Sequence, residues 1–255
     1  AGNPYLTLQL LESVHVDNER VAYHKLQDVI ATKLAGLPAL ADSLLKLLTV
    51  FGRDMSMAEL AEAAGSQATT ISNLTRMRSE GLVRWLSEND EPILDIYHDK
   101  IRENVLAQMP DSEISDCHRA LAETIERRAG GISFEALDAV DLYNESLRPR
   151  LVDLSRHFDA SGMLNKARYY GLLAAEQACK QLALEVAVEH YQVASRHATG
   201  SSDSIRYRIA FGYADVLAKI GRLDAASQEL DRASNFAIDE VQTAQIHALR
   251  ASLAF

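Results

Sequence analysis

Three stretches in the last hundred residues repeat one pattern of small and large side chains, and this pattern limits the possible folds more than any other feature. Gly162-x-Leu164-x-x-Ala167 with Ala174 forms the first. Ala187, Tyr191 and Ala194 form the second, and Gly221-x-Leu223-x-x-Ala226 with Leu230 and Ala233 the third. On helices, small residues let neighbours approach closely while a large one fills the groove between them. A recurrence at such spacing predicts stacked helical hairpins, a solenoid whose concave face receives other molecules. From Arg148 to the end the text reads as helix throughout. One position departs from the pattern: Gly171 stands where the first unit calls for an aromatic.

Upstream, the periodicity changes. Residues 5–13 and 24–35 carry helix-spaced apolar side chains, with Leu26, Val29, Ile30 and Leu34 on one stripe. Pro38 marks a boundary, and a helix follows through Leu44, Leu45, Leu47, Leu48 and Phe51 to a stop at Gly52. Ser56-Met57-Ala58-Glu59 reads as a capping box that starts a short helix ending at Gly65. A second helix, carrying Ile71, Leu74 and Met77 on its apolar face, closes at Gly81. Two β-prone runs, Leu82–Leu86 and Ile93–Tyr97, flank the polar turn Ser87–Pro92 and predict a hairpin. Three helices and a hairpin make a winged helix. Two further amphipathic helices, Asp99–Met109 and Ile114–Arg128, lead to a looser connection at Gly130-Gly131.

Composition narrows the function classes. The chain has 36 acidic and 26 basic residues, a formal charge of −10, so a general polyanion-binding surface is disfavoured. No apolar run reaches the roughly 18–20 residues that cross a bilayer, and no membrane partner or signal peptide is expected. Cys117 and Cys179 lie far apart without metal-ligand spacing and read as reduced, mostly buried thiols. The phosphate loop, GxGxxG, HExxH and GxSxG patterns are all missing, so neither a catalytic residue nor a metal site is expected. His190 and His197 are two helical turns apart, too far to share one ion, and read as surface or interfacial histidines.

The helix-turn-helix raises a DNA-binding alternative. Its second helix offers Thr69, Thr70, Ser72, Asn73, Arg76 and Arg78 to base edges. Against this, the helix has two cations with Glu80 behind them, and the turn Glu88-Asn89-Asp90-Glu91 would face phosphate with negative charge. Nucleic acid is therefore not the expected partner. A transcriptional regulator with a repeat sensor stays as the alternative.

Three segments together resemble one family. Gly2-Asn3-Pro4-Tyr5-Leu6 looks like the glycine-any-proline motif that ends the nucleotide-binding region of STAND signalling ATPases. Lys25–Leu37 followed by Leu44–Gly52 resembles the arm and first winged-helix segment of those proteins. Tyr97-His98-Asp99-Lys100-Ile101-Arg102-Glu103-Asn104-Val105, then Met109-Pro110 and His118–Glu123, resembles their next signature. Beyond these three, Leu154-Ser155-Arg156-His157-Phe158 with Ala160-x-Gly162 also fits their first helical hairpin. The resemblance is closest to bacterial Ser/Thr protein kinases with an AAA/STAND module and tetratricopeptide repeats, and broadly to maltose-regulator-type ATPases.

The resemblance implies roles for two residues. Pro4 would pack near the adenine, and His98 would contact the β-phosphate of ADP, with Asp99 holding His98 or capping the helix that follows. On their own residues, Pro4 reads equally as a helix N1 proline and His98 as a hydrogen-bonded histidine at a strand-to-helix corner. Nucleotide (ATP or ADP with Mg) would be bound by a larger parent protein, an ATPase and by resemblance a protein kinase, and not by this chain alone. The start at Ala1 and the stop within the helix-forming Leu253-Ala254-Phe255 read as a piece of a longer cytoplasmic protein.

The expected architecture is all-α in the main. Residues 1–36 form the edge of a nucleotide-binding module and its arm, 37–128 the winged helix, 129–147 a linker, and 148–255 tetratricopeptide-like repeats. The expected partners are the protein's own nucleotide-binding domain and, on the repeats, a protein or small-molecule effector.

Overall fold

The computed structural model describes residues 29–65, 70–87, 92–131 and 145–253. The chain divides into two compact units, residues 1–117 and 118–255. The fold is mainly helical with one small antiparallel sheet. Pro4, the helix expected at 5–13, Thr69 and the turn at 88–91 lie outside the described residues.

In the first unit, residues 29–35 are helical and bury Ile30 and Leu34. Pro38 then precedes α1 (Ala39–Phe51), which buries Leu44, Leu45 and Leu48 completely and ends at Gly52 with φ 85°. Strand β1 (Met55–Ser56) leads into α2 (Met57–Ala63), where the Ser56 hydroxyl accepts the Glu59 N–H at 3.2 Å, as the capping box predicts. Helix α3 (Thr70–Ser79) ends at Gly81. There the Gly81 and Leu82 N–H groups donate to the carbonyls of Arg78 and Met77.

The expected hairpin is present as β2 (Val83–Ser87) and β3 (Ile93–Ile96), but it is part of a three-stranded sheet in the order β1-β3-β2. Met55 pairs with Leu94, and Val83 with Ile96. A two-residue strand has no periodicity to read, which is why β1 escapes sequence analysis. A second difference concerns α3. Leu74 and Met77 are fully buried, whereas Ile71 is 59% exposed and faces away from the core. Helices α4 (Asp99–Gln108) and α5 (Asp111–Arg128) follow, the latter starting three residues earlier than its apolar pattern implies. Pro110 supplies the carbonyl for the first turn of α5.

In the second unit a 3-10 turn, Glu145–Arg150, enters α6 (Leu151–Ala160), followed by α7 (Leu164–Lys180) and α8 (Leu184–Arg196). Then come α9 (Asp203–Lys219), α10 (Leu223–Ser234) and α11 (Glu240–Leu253). Three of the connections share one geometry. After α6, α7 and α9 the residues Gly162, Leu182 and Gly221 all have positive φ, at 72°, 59° and 78°. In each turn two successive N–H groups reach back into the preceding helix. Met163 donates to Phe158, Ala183 to Ala178 and Arg222 to Leu217, closing the helix ends in Schellman fashion. The alanines expected to pack closely, Ala167, Ala187 and Ala226, are all fully buried.

Gly171 departs from the repeat pattern for a physical reason. A Cβ there would lie 3.0 Å from the Ala194 nitrogen and 3.1 Å from the His190 carbonyl oxygen. The missing side chain lets α7 and α8 meet backbone to backbone. The aromatic filling is supplied by neighbours instead: Phe158 stacks on Tyr170 at 5.3 Å, and Tyr169 meets Tyr170 edge-on at 5.1 Å.

Candidate functional site

His98 stands where β3 turns into α4. The Tyr97 N–H donates to the Leu82 carbonyl at 3.0 Å, holding the strand end, and His98 keeps an extended backbone before the helix begins. Its ring caps the helix: Nδ1 accepts the Lys100 N–H at 3.1 Å. A neutral imidazole that accepts at Nδ1 carries its proton on Nε2. The half-buried ring therefore presents an N–H donor, and Nε2 has no hydrogen-bond partner among the described residues. Asp99, expected to hold His98 or cap α4, does neither. It is the exposed first residue of the helix, where its charge suits the helix dipole.

The corner is anchored by a residue that sequence reading missed. Arg102, one helical turn beyond His98, donates to the Thr49 carbonyl at 2.8 Å and to Asp95 Oδ1 at 3.3 Å. It thereby ties α4 both to the carbonyl end of α1, where a cation is favoured, and to β3. Asp95 is held from its other side by Arg84, at 2.7 Å, and accepts the Ile96 N–H at 2.8 Å. Nothing in the local spacing announces this chain, because its links join residues up to 53 positions apart.

The cations that DNA recognition would use are engaged within the protein. Arg76 donates to Glu80 at 2.8 Å and to the Gly36 carbonyl at 3.1 Å. Arg78 lies over the Trp85 ring at 5.0 Å. The hydroxyls of Thr75 and Ser79 turn back to carbonyls of their own helix. The exposed Ile71 adds an apolar group to the same helix.

Four further histidines, His118, His157, His190 and His197, are held by hydrogen bonds within the second unit. His118 and His157 meet through their Nδ1 atoms at 2.7 Å, and Arg156 approaches His157 Nε2 at 3.4 Å. An arginine can only donate. His157 Nε2 therefore accepts, its Nδ1 carries the proton, and His118 receives that proton's hydrogen bond. Burial, with the nearby Arg156 charge, holds the His118 imidazole down to about 4. Buried His190 bonds the Ser155 hydroxyl at 2.9 Å, and its pKa is also lowered by burial. His197 bonds Asp159 at 2.7 Å.

Cys117 and Cys179 are free thiols and only half-buried; burial pushes Cys117 up to about 11 and raises Cys179 as well. Among the described residues no group of three or more His, Cys, Asp or Glu side chains is placed to hold a metal. Nor is any described helix long and apolar enough to cross a membrane. The chain matches no protein-family model, no curated protein and no solved structure.

Proposed function

We propose that this chain is the regulatory and interaction segment of a multidomain, cytoplasmic signalling ATPase linked to a Ser/Thr protein kinase. In this reading the α1–β1–α2–α3–β2–β3 unit is a winged helix that docks on the protein's own nucleotide-binding domain. The helical hairpins are tetratricopeptide-like repeats that receive a protein or small-molecule signal. Mg-ATP and ADP belong to the whole protein, with Pro4 beside the adenine and His98 on the ADP β-phosphate. Such a switch works only if the signal binds the two nucleotide states with different affinity.

The observation that carries the reading is the His98 ring, fixed through Nδ1 with its Nε2 donor unengaged among the described residues. A donor held in one direction costs little to align with a phosphate oxygen, and hydrogen bonds to anions are the stronger kind. The chain would bind nucleotide poorly alone, since the phosphate loop is not in it. In the longer protein, His98→Ala is expected to speed ADP release about tenfold, equivalent to ~1.4 kcal/mol. An unchanged release rate overturns the role. Binding of duplex DNA at low salt, with steep loss as salt rises, would favour the transcriptional regulator instead. The internal engagement of Arg76 and Arg78 predicts no such binding.

A further inference from the structure

Two clefts adjoin on the repeat helices α8, α9 and α10. The smaller, about 130 Å³, is lined in part by Thr199, Arg206, Ile209 and Phe236, together with Ser195 and Arg232. The larger, about 530 Å³, is lined by Gln192, Arg196, Tyr213 and Glu229 and again by Ser195 and Arg232, with the Arg196 guanidinium engaged by Asp159 at 3.0 Å. The shared residues make the two clefts one trough.

Its two ends differ in chemistry. The residues lining the smaller cleft include two guanidinium groups, two hydroxyls and no carboxylate, and Arg206 lies over the Phe236 ring at 5.1 Å. That end offers donors beside an apolar wall. At the other end the Glu229 side chain is 12% exposed. Its Oε1 accepts from Arg232 at 2.8 Å, while its buried Oε2 has no donor among the described residues. A buried carboxylate oxygen without a donor is a standing cost that a ligand N–H can relieve.

Arg232 belongs to both ends. It is 48% exposed, so its pair with Glu229 is weak and readily exchanged. A ligand carboxylate that draws Arg232 towards Arg206 frees the Glu229 carboxylate for a ligand ammonium. We propose that this trough binds a small zwitterion of the amino-acid class with an apolar side chain. Its carboxylate lies between Arg206 and Arg232, its ammonium on Glu229, and its apolar group against Ile209 and Phe236. The inference rests on reading the repeats as the signal-receiving part, and it gives that signal a chemical class. The mixture of an apolar wall with a few convergent polar groups is what small-ligand sites share.

The test titrates the 255-residue chain, by calorimetry and amide NMR shifts, with three probes. Leucine carries both charges, N-acetylleucine the carboxylate alone, and leucinamide the ammonium alone. Leucine is expected to bind at least about tenfold more tightly than either of the others. Glu229→Gln is expected to remove the advantage of leucine over N-acetylleucine without weakening N-acetylleucine. Arg206→Gln is expected to weaken leucine and N-acetylleucine and spare leucinamide. Melting curves of both variants establish that they fold, and the crossed pattern of losses is one that general destabilisation does not produce. Equal affinity for all three probes, no saturable binding at millimolar concentration, or equal weakening of all probes by Glu229→Gln overturns the proposal. Any of these failures leaves the ADP-release test of His98 standing, because that test reads a different unit.

Discussion

Around Phe158 the helical repeats are closed by stacked aromatic rings and by turns of one recurring geometry. Around Asp95 the sheet-bearing unit is closed by two guanidinium groups, one of which, Arg102, also reaches the Thr49 carbonyl 53 positions away. The first kind of construction is local and repeatable: each turn satisfies its own helix end, and each small residue admits the next helix. The second depends on a few polar links between different elements, and the Arg102 bond to Thr49 has to find a partner 53 positions away. A repeat body built from local parts suits a platform. A corner held by hydrogen bonds suits a part whose contacts change with a ligand.

The largest expected effects separate these two modes. Phe158→Ala should lower stability by about 3–5 kcal/mol, because it removes a fully buried ring stacked on Tyr170. Arg102→Met, which leaves Asp95 with Arg84 and the end of α1 without its cation, should cost roughly 1–2 kcal/mol. Urea unfolding of each variant measures both. A larger loss for Arg102→Met than for Phe158→Ala would reverse the comparison.

Acid should act on the repeat unit through its histidines. Free histidine titrates near ~6.5, whereas folded His118 stays neutral down to about 4. As pH falls below the unfolded value, the unfolded chain takes up a proton that the folded chain refuses. The stability is therefore whole above about 6.5 and declines progressively towards about 4. His190, also lowered by burial, adds to the same slope. His118→Gln can still accept the His157 hydrogen bond and does not titrate. Urea midpoints taken from neutral to acid pH should fall less steeply in that variant, and an identical slope would contradict the assignment.

Much of the repeat unit was legible because its information is local. The spacing of Gly162, Ala167, Gly221 and Ala226 identifies two of the three turns directly. The middle turn was hidden because Leu182 occupies the position where its counterparts have glycine. Gly171 looked like a fault in the pattern, yet it marks the closest approach of two helices, something visible only once α8 is in place. In the other unit the caps and turns could be read, but the Arg102–Asp95–Arg84 chain could not. Its salt links join single residues on different elements, 7 and 11 positions apart, and such pairs leave no periodic trace. The place of His98 at a strand-to-helix corner was legible, while its capping bond, which directs the ring, was not.

The smallest expected effect tests the recurring turn itself. Leu182 is 82% exposed and holds φ 59°, so its side chain buries little while its backbone is strained. Leu182→Gly should raise stability by about 0.5–1 kcal/mol, since glycine adopts this conformation without steric cost. A lower melting temperature in that variant would mean that the side chain contributes more than its exposure suggests.

Replacing His98 with asparagine and with aspartate distinguishes a phosphate donor from a residue that only caps a helix. Both side chains can accept the Lys100 N–H and keep α4 capped, so both variants should fold with nearly unchanged stability. Only asparagine can also donate to a phosphate oxygen, and aspartate would repel it. In the longer protein ADP release is expected to be faster for both variants, and faster for His98→Asp than for His98→Asn. Release at the original rate from both variants would show that His98 only caps a helix, and the nucleotide role would fall with it.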